Sequence, residues 1–391
     1  MKRIIALVDC DSFFVTCEQA VEPKLKGQPV CVISNNEGCV ISRSREAKQM
    51  GVKMGMPYFM AKKDYPNAIY IKAEHDRYDW FSKRVMDCLK NFSPDVQIYS
   101  IDEAFIDLTG TRRLYGMNYT NICKMIRRTI KEQTDIDVSI GISHSKTLSK
   151  LASDKAKNTG GIYTIGAFRI KDELKKTDIS EIWGVGRQIN KFCLRWGILN
   201  AWDFVSRPDA WLKSELGKNG LELKYELLGD CISPVESKKE PPKSIQKTSA
   251  IGGFTSDINI IKSEIAKHIH RGCVKLRRWG GKCSTVGVML RTKDFYVCSR
   301  YKDLIQPTNF ELTVKKAIDE LLPQIYSQNV LYRSTGIMLN NLSYSDSEQL
   351  FLFDSVSEKD KKLAECIDKI ENKFGKNSIK TGFWTDKFKK E

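Results

Sequence analysis

Between Ile98 and Leu108 the chain reads IYSIDEAFIDL, two apolar runs broken by a pair of carboxylates. Ile98, Ile101, Phe105, Ile106 and Leu108 favour a half-buried sheet, where Asp102 and Glu103 are costly unless they sit in a turn or face something positive. A second acid belongs with them. The first strand-like run, RIIALVD, ends on Asp9, and Asp11 follows after one residue. Leaving aside about residues 31–77, the first 165 residues run strand, helix, strand, strand, helix, strand, the split βαβ order of a ferredoxin-like α+β fold. In that topology the first strand is central and neighbours the hairpin, so Asp9 comes beside Asp102 and Glu103. Three carboxylates share a site only when a cation or a proton separates their charges. Oxygen donors without a His or Cys cluster suit magnesium, and two such ions suit in-line phosphoryl or nucleotidyl transfer. The plainer alternative is a polar hairpin turn, with Asp9 capping a helix.

Composition limits the partners. The formal net charge is +16, and between Lys238 and Lys302 there are 15 Lys and Arg against 4 acidic residues, a local net of +11. A polyanion is the expected partner of that segment. The 12 cysteines include no CxxC pair and read as reduced thiols rather than as a disulfide framework or zinc site. No run of about 18 apolar residues suggests a membrane span, and MKRIIALVDCD reaches an acidic residue too early for a signal peptide. A cytoplasmic protein with no membrane partner is expected.

Along the chain, PVCVIS and CVISRS form a hairpin through NNEG, REAKQMG is a helix stopped by Gly51, and AIYIK is a short strand. DRYDWFSKRVMDCLKNF is a long helix with Tyr78, Phe81, Val85 and Leu89 on one face. NICKMIRRTIKEQ, the strand VSIGIS and the helix KTLSKLASDKAK follow. A helical region then holds IWGVGRQINKFCLRWGI, where Gly184 and Gly186 precede a helix starting near Arg187 and can let backbone N–H groups meet a phosphate. SKKEPPKSIQK reads as an extended linker. The basic segment predicts two helices on an antiparallel sheet, and after Ser343 the chain is polar, with at most one marginal helix, apart from QLFLF.

VDCDSFF, YSIDEAF and GISHSKTLSKLASDKAKNTGG, in that order, resemble the three polymerase motifs of the Y-family, lesion-bypass DNA polymerases. Within that family SNNEGCVISRSREAKQMGVKMGMP is more similar to the UmuC branch, the catalytic subunits of DNA polymerase V, than to DNA polymerase IV. The resemblance implies a multidomain right hand: a palm over 1–30 and 78–167, fingers over 31–77, and a thumb with a helix-hairpin-helix over 168–236. A linker over 237–247, a DNA-binding little finger over 248–345 and a tail over 346–391 complete it. It also implies error-prone, template-directed synthesis past lesions during SOS-type damage tolerance.

Residue by residue, Asp9, Asp102 and Glu103 match the catalytic, metal-binding carboxylates, with the Cys10 carbonyl as a further ligand of two magnesium ions. Phe14 matches the steric gate that collides with a ribose 2′-hydroxyl. Phe13, Ser42, Arg45, Lys48 and Lys157 match positions around the nucleotide. Gly184, Gly186 and Arg187 match a DNA-phosphate contact, and Asp11 stands where the UmuC branch often has asparagine. Gln349, Leu350, Phe351, Leu352 and Phe353 resemble the peptide by which bacterial polymerases dock on the sliding clamp. The implied partners are primer-template DNA, deoxynucleoside triphosphates and the clamp, with a processed UmuD dimer and RecA for the UmuC branch. The rivals are a DNA polymerase IV-type enzyme, a GGDEF-type cyclic-nucleotide synthase, whose Gly-Gly-Asp/Glu signature is missing, and a catalytically inactive DNA-binding relative.

Overall fold

The computed structural model describes residues 2–34, 38–238, 240–344, 358–375 and 378–379. Two compact units divide the chain, residues 1–239 and 240–391, so the boundary falls inside the segment read as a linker.

In the first unit the chain runs β1 (Ile5–Cys10), α1 (Phe13–Val21), β2 (Val30–Ile33), β3 (Val40–Arg43), α2 (Arg45–Gln49), α3 (Tyr58–Asp64), β4 (Ile69–Lys72) and α4 (His75–Lys90). Then come β5 (Val96–Ile98), β6 (Glu103–Asp107), α5 (Thr111–Tyr115), α6 (Tyr119–Thr134), β7 (Val138–Ser143), α7 (Lys146–Ala156) and β8 (Ile162–Thr164). Helices α8 (Ile170–Lys175), α9 (Arg187–Arg195), α10 (Ala201–Val205) and α11 (Asp209–Leu228) complete it.

The main sheet has the order β5-β6-β1-β7-β8, with β1 antiparallel to both neighbours and β8 parallel to β7. Its first four strands follow the ferredoxin-like order, and β8 is an edge strand that the sequence reading omits. Strand alternation divides β1 between two faces. Ala6 and Val8 join Tyr78, Phe81 and Val85 of α4 and Ile122, Ile126 and Ile130 of α6 in one core, while Ile5 and Leu7 pack with Phe105 and Val235 on the other side. A smaller sheet, β3-β2-β4, packs with α2 and α3 around Cys31, Ile33, Val40, Ala47, Val52 and Ala61. The turn NNEG falls partly outside the described residues.

The second unit runs β9 (Ile245–Thr255), α12 (Ile258–Arg278), β10 (Lys282–Thr292), β11 (Val297–Thr308), α13 (Glu311–Leu321), β12 (Tyr332–Ser343) and α14 (Glu358–Phe374). Its sheet is antiparallel throughout, in the order β11-β10-β12-β9, and α12 and α13 cover one face as expected. Two expectations are corrected. The linker ends early, because Ile245 already opens β9; its charged and glycine-containing sequence hides an edge strand in which only Ile245 and Ile251 are buried. The tail helix α14 is docked, because Asp368 receives the Arg277 guanidinium through two 2.7 Å hydrogen bonds and Glu371 stands 3.0 Å from His270 Nε2. These ion pairs join α14 to α12 across 91 to 101 residues of sequence, a contact that local periodicity does not register.

Candidate active site

Asp9 is the fifth residue of β1, and ladder register sets it opposite Glu103 on β6 and Ser139 on β7. Neighbouring register positions share a face, so the two acids meet. Asp102 differs. It lies in the turn rather than in the strand, where the Tyr99 and Ser100 N–H groups donate to the Glu103 carbonyl at 3.0 and 3.1 Å. Its backbone carbonyl accepts from Cys10 N–H at 2.9 Å, and its carboxylate accepts from the Ser100 hydroxyl. The turn and charged-site readings of IYSIDEAFIDL are thus split between two residues, Asp102 in the turn and Glu103 at the head of the strand.

Helix α7 lies over this corner, with Lys150 in its middle and Lys157 at its C-cap, seven residues or about two helical turns apart. Lys157 Nζ is 2.8 Å from Asp9 Oδ2, and Lys150 Nζ donates to Glu103 Oε1. The close seat of α7 depends on Gly141 in β7. A Cβ there would lie 2.0 Å from Ser153 N and 2.2 Å from Ser149 O. Sequence reasoning found Lys157 but missed Lys150 and Gly141. The signals were the seven-residue spacing and a glycine inside a strand, which marks close backbone approach.

Asp9 is only 5% exposed. Burial pushes its carboxyl up to about 7, with Lys157 acting against the rise and Glu103 adding to it. Burial works against the Lys157 ammonium, but Asp9 outweighs it and holds that pKa above the ordinary lysine value. Burial, then Asp102 and Asp9, drive the Cys10 thiol far up, and the side chain is a member of the core, 3% exposed. Among the described residues no three His, Cys, Asp or Glu side chains lie close enough to grip a metal as they stand. Asp9 and Glu103 converge, and Asp102 is occupied by Ser100. The donor chemistry nevertheless fits a hard divalent ion, since every available donor is oxygen and each converging acid already draws a cation to itself. Asp11 accepts from the Ser139 hydroxyl at 2.8 Å, and burial raises its pKa.

Beside this corner, α1 starts after Ser12, which holds φ 48°. Phe13 is a core residue, 3% exposed, so the expected nucleotide contact cannot come from its ring and is left to its backbone. Phe14 is half-buried, and its ring lies 4.7 Å from that of Tyr78 and 6.4 Å from His75. Tyr78 is itself fixed, donating to Glu18 Oε1 at 2.7 Å, while Arg77 pairs with the same carboxylate. These supports were legible only as a helix face. Ser42 is buried and donates to Ser12 O at 3.2 Å, whereas Arg45 and Lys48 lie exposed on α2 without an ion pair among the described residues.

Farther along, Gly184 takes φ 96° and Gly186 caps α9, leaving Arg187 exposed at its start. Trp183 fixes this hairpin to the main sheet, its ring 5.3 Å from Tyr99 and 5.8 Å from Phe105, with Nε1 donating to the Tyr99 hydroxyl at 3.2 Å. The expected clamp peptide, Gln349–Phe353, lies outside the described residues. Among the described residues no helix is long and apolar enough to cross a membrane.

Comparison with known proteins places the chain in a family and the fold among solved structures. Residues 8–154 match the impB/mucB/samB family and residues 242–352 match its C-terminal domain. The UmuC protein of Salmonella typhimurium strain LT2 is 32% identical over 96% of this chain and 92% of its own length. A DNA polymerase IV of Dehalococcoides mccartyi strain CBDB1 is 30% identical over 97% of each. Among solved structures, a chimera of the Y-family DNA polymerases Dbh and Dpo4 superposes with a TM-score of 0.74 at 27% identity, over 88% of this chain and all of the chimera. Strand order, paired acids and both matched domains converge on one conclusion: the chain belongs to the impB/mucB/samB family of Y-family translesion polymerases and is a DNA-directed DNA polymerase.

Proposed function

We propose that this polymerase performs error-prone synthesis past damaged template bases in an SOS-type response, in the cytoplasm, using two magnesium ions at Asp9, Asp102 and Glu103. The observation that carries the reading is the Asp9–Glu103 pair, two acids set against each other on adjacent strands and each opposed by an ammonium from α7. Magnesium there supplies activation of the primer 3′-hydroxyl and neutralisation of triphosphate charge. Asp9, Asp102, Glu103 and the Cys10 carbonyl hold it.

The remaining residues position substrates. Lys157, released from Asp9 as the site fills, pairs with the triphosphate of the incoming deoxynucleotide, and the exposed cations Arg45 and Lys48 face the same charge. Phe14 meets the sugar edge, where a ring braced from behind rejects a 2′-hydroxyl by volume. The Gly184–Arg187 turn and the basic second unit hold primer-template DNA through phosphates, independently of sequence. Gln349, Leu350, Phe351, Leu352 and Phe353 dock on the sliding clamp, and a processed UmuD dimer with RecA completes the active assembly. The domain limits implied by the resemblance belong to this reading, except that 245–247 pass from the linker to the little finger, where β9 begins.

A second reading has support in the 30% identity to DNA polymerase IV over 97% of this chain, namely an enzyme that works without UmuD and RecA. Extension across an abasic site with magnesium separates the two. The first reading expects bypass that depends on the processed UmuD dimer and RecA. Undiminished bypass by the chain alone selects the second, and no bypass under either condition contradicts both.

A further inference from the structure

One end of the sheet in the second unit departs from its ladder twice. Strand β9 leaves register with β12 between Ala250 and Thr255, and β12 carries an extra residue at Arg333, between Ser334 opposite Arg291 and Tyr332 opposite Thr292. Bulges re-aim side chains and gather at functional edges. The β10–β11 hairpin turns at this same end, and in it Phe295 holds φ 69°, a backbone state that is costly for a bulky residue.

The side chains collected there are rings and cations. Phe254, Phe295 and Tyr296 are 52%, 63% and 70% exposed. The Arg333 guanidinium lies 3.8 Å from the Phe295 ring centroid, and the Lys293 ammonium lies 5.7 Å from that of Phe254. Neither cation is ion-paired among the described residues, although Asp294 adjoins Lys293 in sequence. Nearby on β10, Arg291 Nε is buried with no hydrogen-bond partner.

We propose that this bulged end of the sheet is a stacking platform for unpaired bases of single-stranded DNA. A ring backed on one face by a guanidinium keeps its other face for a base, and the cations draw the intervening phosphates. Along its length a duplex shows phosphates but no base faces, so it leaves these rings uncovered except at an end. An apolar protein partner would cover the rings but would leave Arg333 and Lys293 unanswered, whereas a polyanion answers both. The inference rests on the reading of the second unit as DNA-binding and adds to it the strand that this end takes.

The test is fluorescence anisotropy with the full chain, using a short labelled oligothymidylate and a blunt duplex of the same length. Replacing Phe295→Ala together with Tyr296→Ala is expected to weaken single-strand binding roughly tenfold, and duplex binding by less. Phe295→Tyr with Tyr296→Phe, which keeps both rings, is expected to retain the wild-type affinity for the single strand. Unchanged single-strand binding in the alanine pair overturns the platform, as do equal losses on single strand and duplex. If the wild-type chain binds neither probe, the DNA-binding reading falls and the platform falls with it.

Discussion

At the scale of the residue, Phe14 takes its place from a side chain that sequence alone assigns to packing. Tyr78 is fully buried, its hydroxyl is tied to Glu18, and its ring stands 4.7 Å from Phe14. A braced ring cannot yield to a larger sugar, so Phe14→Ala is expected to raise the ribonucleotide-to-deoxynucleotide ratio of kcat/KM by at least about tenfold. An unchanged ratio would remove Phe14 from the gate. A second residue-scale prediction concerns His268. It is buried in α12 with Nε2 3.1 Å from Thr335 Oγ1, and burial, followed by the nearby cations Arg271, Lys267 and Lys247, lowers its pKa from 6.5 to about 4. The unfolded chain therefore takes up this proton first. The contribution is fully present above pH 6.5 and is lost as pH falls towards 4, on the order of 3 kcal/mol in total. His268→Gln should flatten the fall of unfolding free energy across that window, and parallel curves for wild type and variant would contradict it.

At the scale of the element, α7 brings the positive charge to the site, and Gly141 is what lets it settle. Gly141→Ala would force a Cβ to within 2.2 Å of two backbone atoms of the helix, so either α7 or β7 must move. The expected cost is about 1–3 kcal/mol in denaturant unfolding, with a loss of primer extension larger than the unfolded fraction explains. Wild-type activity in a folded Gly141→Ala protein would show that the seat of α7 does not set the site. Legibility follows the same line. The amphipathic α4, α6 and α12 were readable because each buries one periodic face, and the strands bearing Asp9 and Glu103 because each is a short apolar run buried on both faces of the sheet. Strands β8 and β9 were not, since an edge strand needs no apolar alternation. Lys150 was missed because a lysine on a helix looks solvated until a carboxylate on another strand is known to lie opposite. The Trp183–Tyr99–Phe105 cluster joins residues 84 apart in sequence, and no local pattern announces such a contact.

At the scale of the whole molecule, the chain divides its chemistry between two units, acids and their lysines in the first and much of the basic excess in the second. The central claim is that Asp9, Asp102 and Glu103 form the metal-dependent centre of a polymerase. Single-turnover primer extension with magnesium, on undamaged and abasic templates, tests it most directly. Wild type is expected to extend the primer on undamaged DNA, and across the abasic site once its partners are supplied. Asp102→Ala with Glu103→Ala is expected to lose at least about a thousandfold in rate, while keeping wild-type affinity for primer-template DNA. A double variant that extends primers as fast as wild type would contradict the claim, as would a wild-type chain that adds no nucleotide.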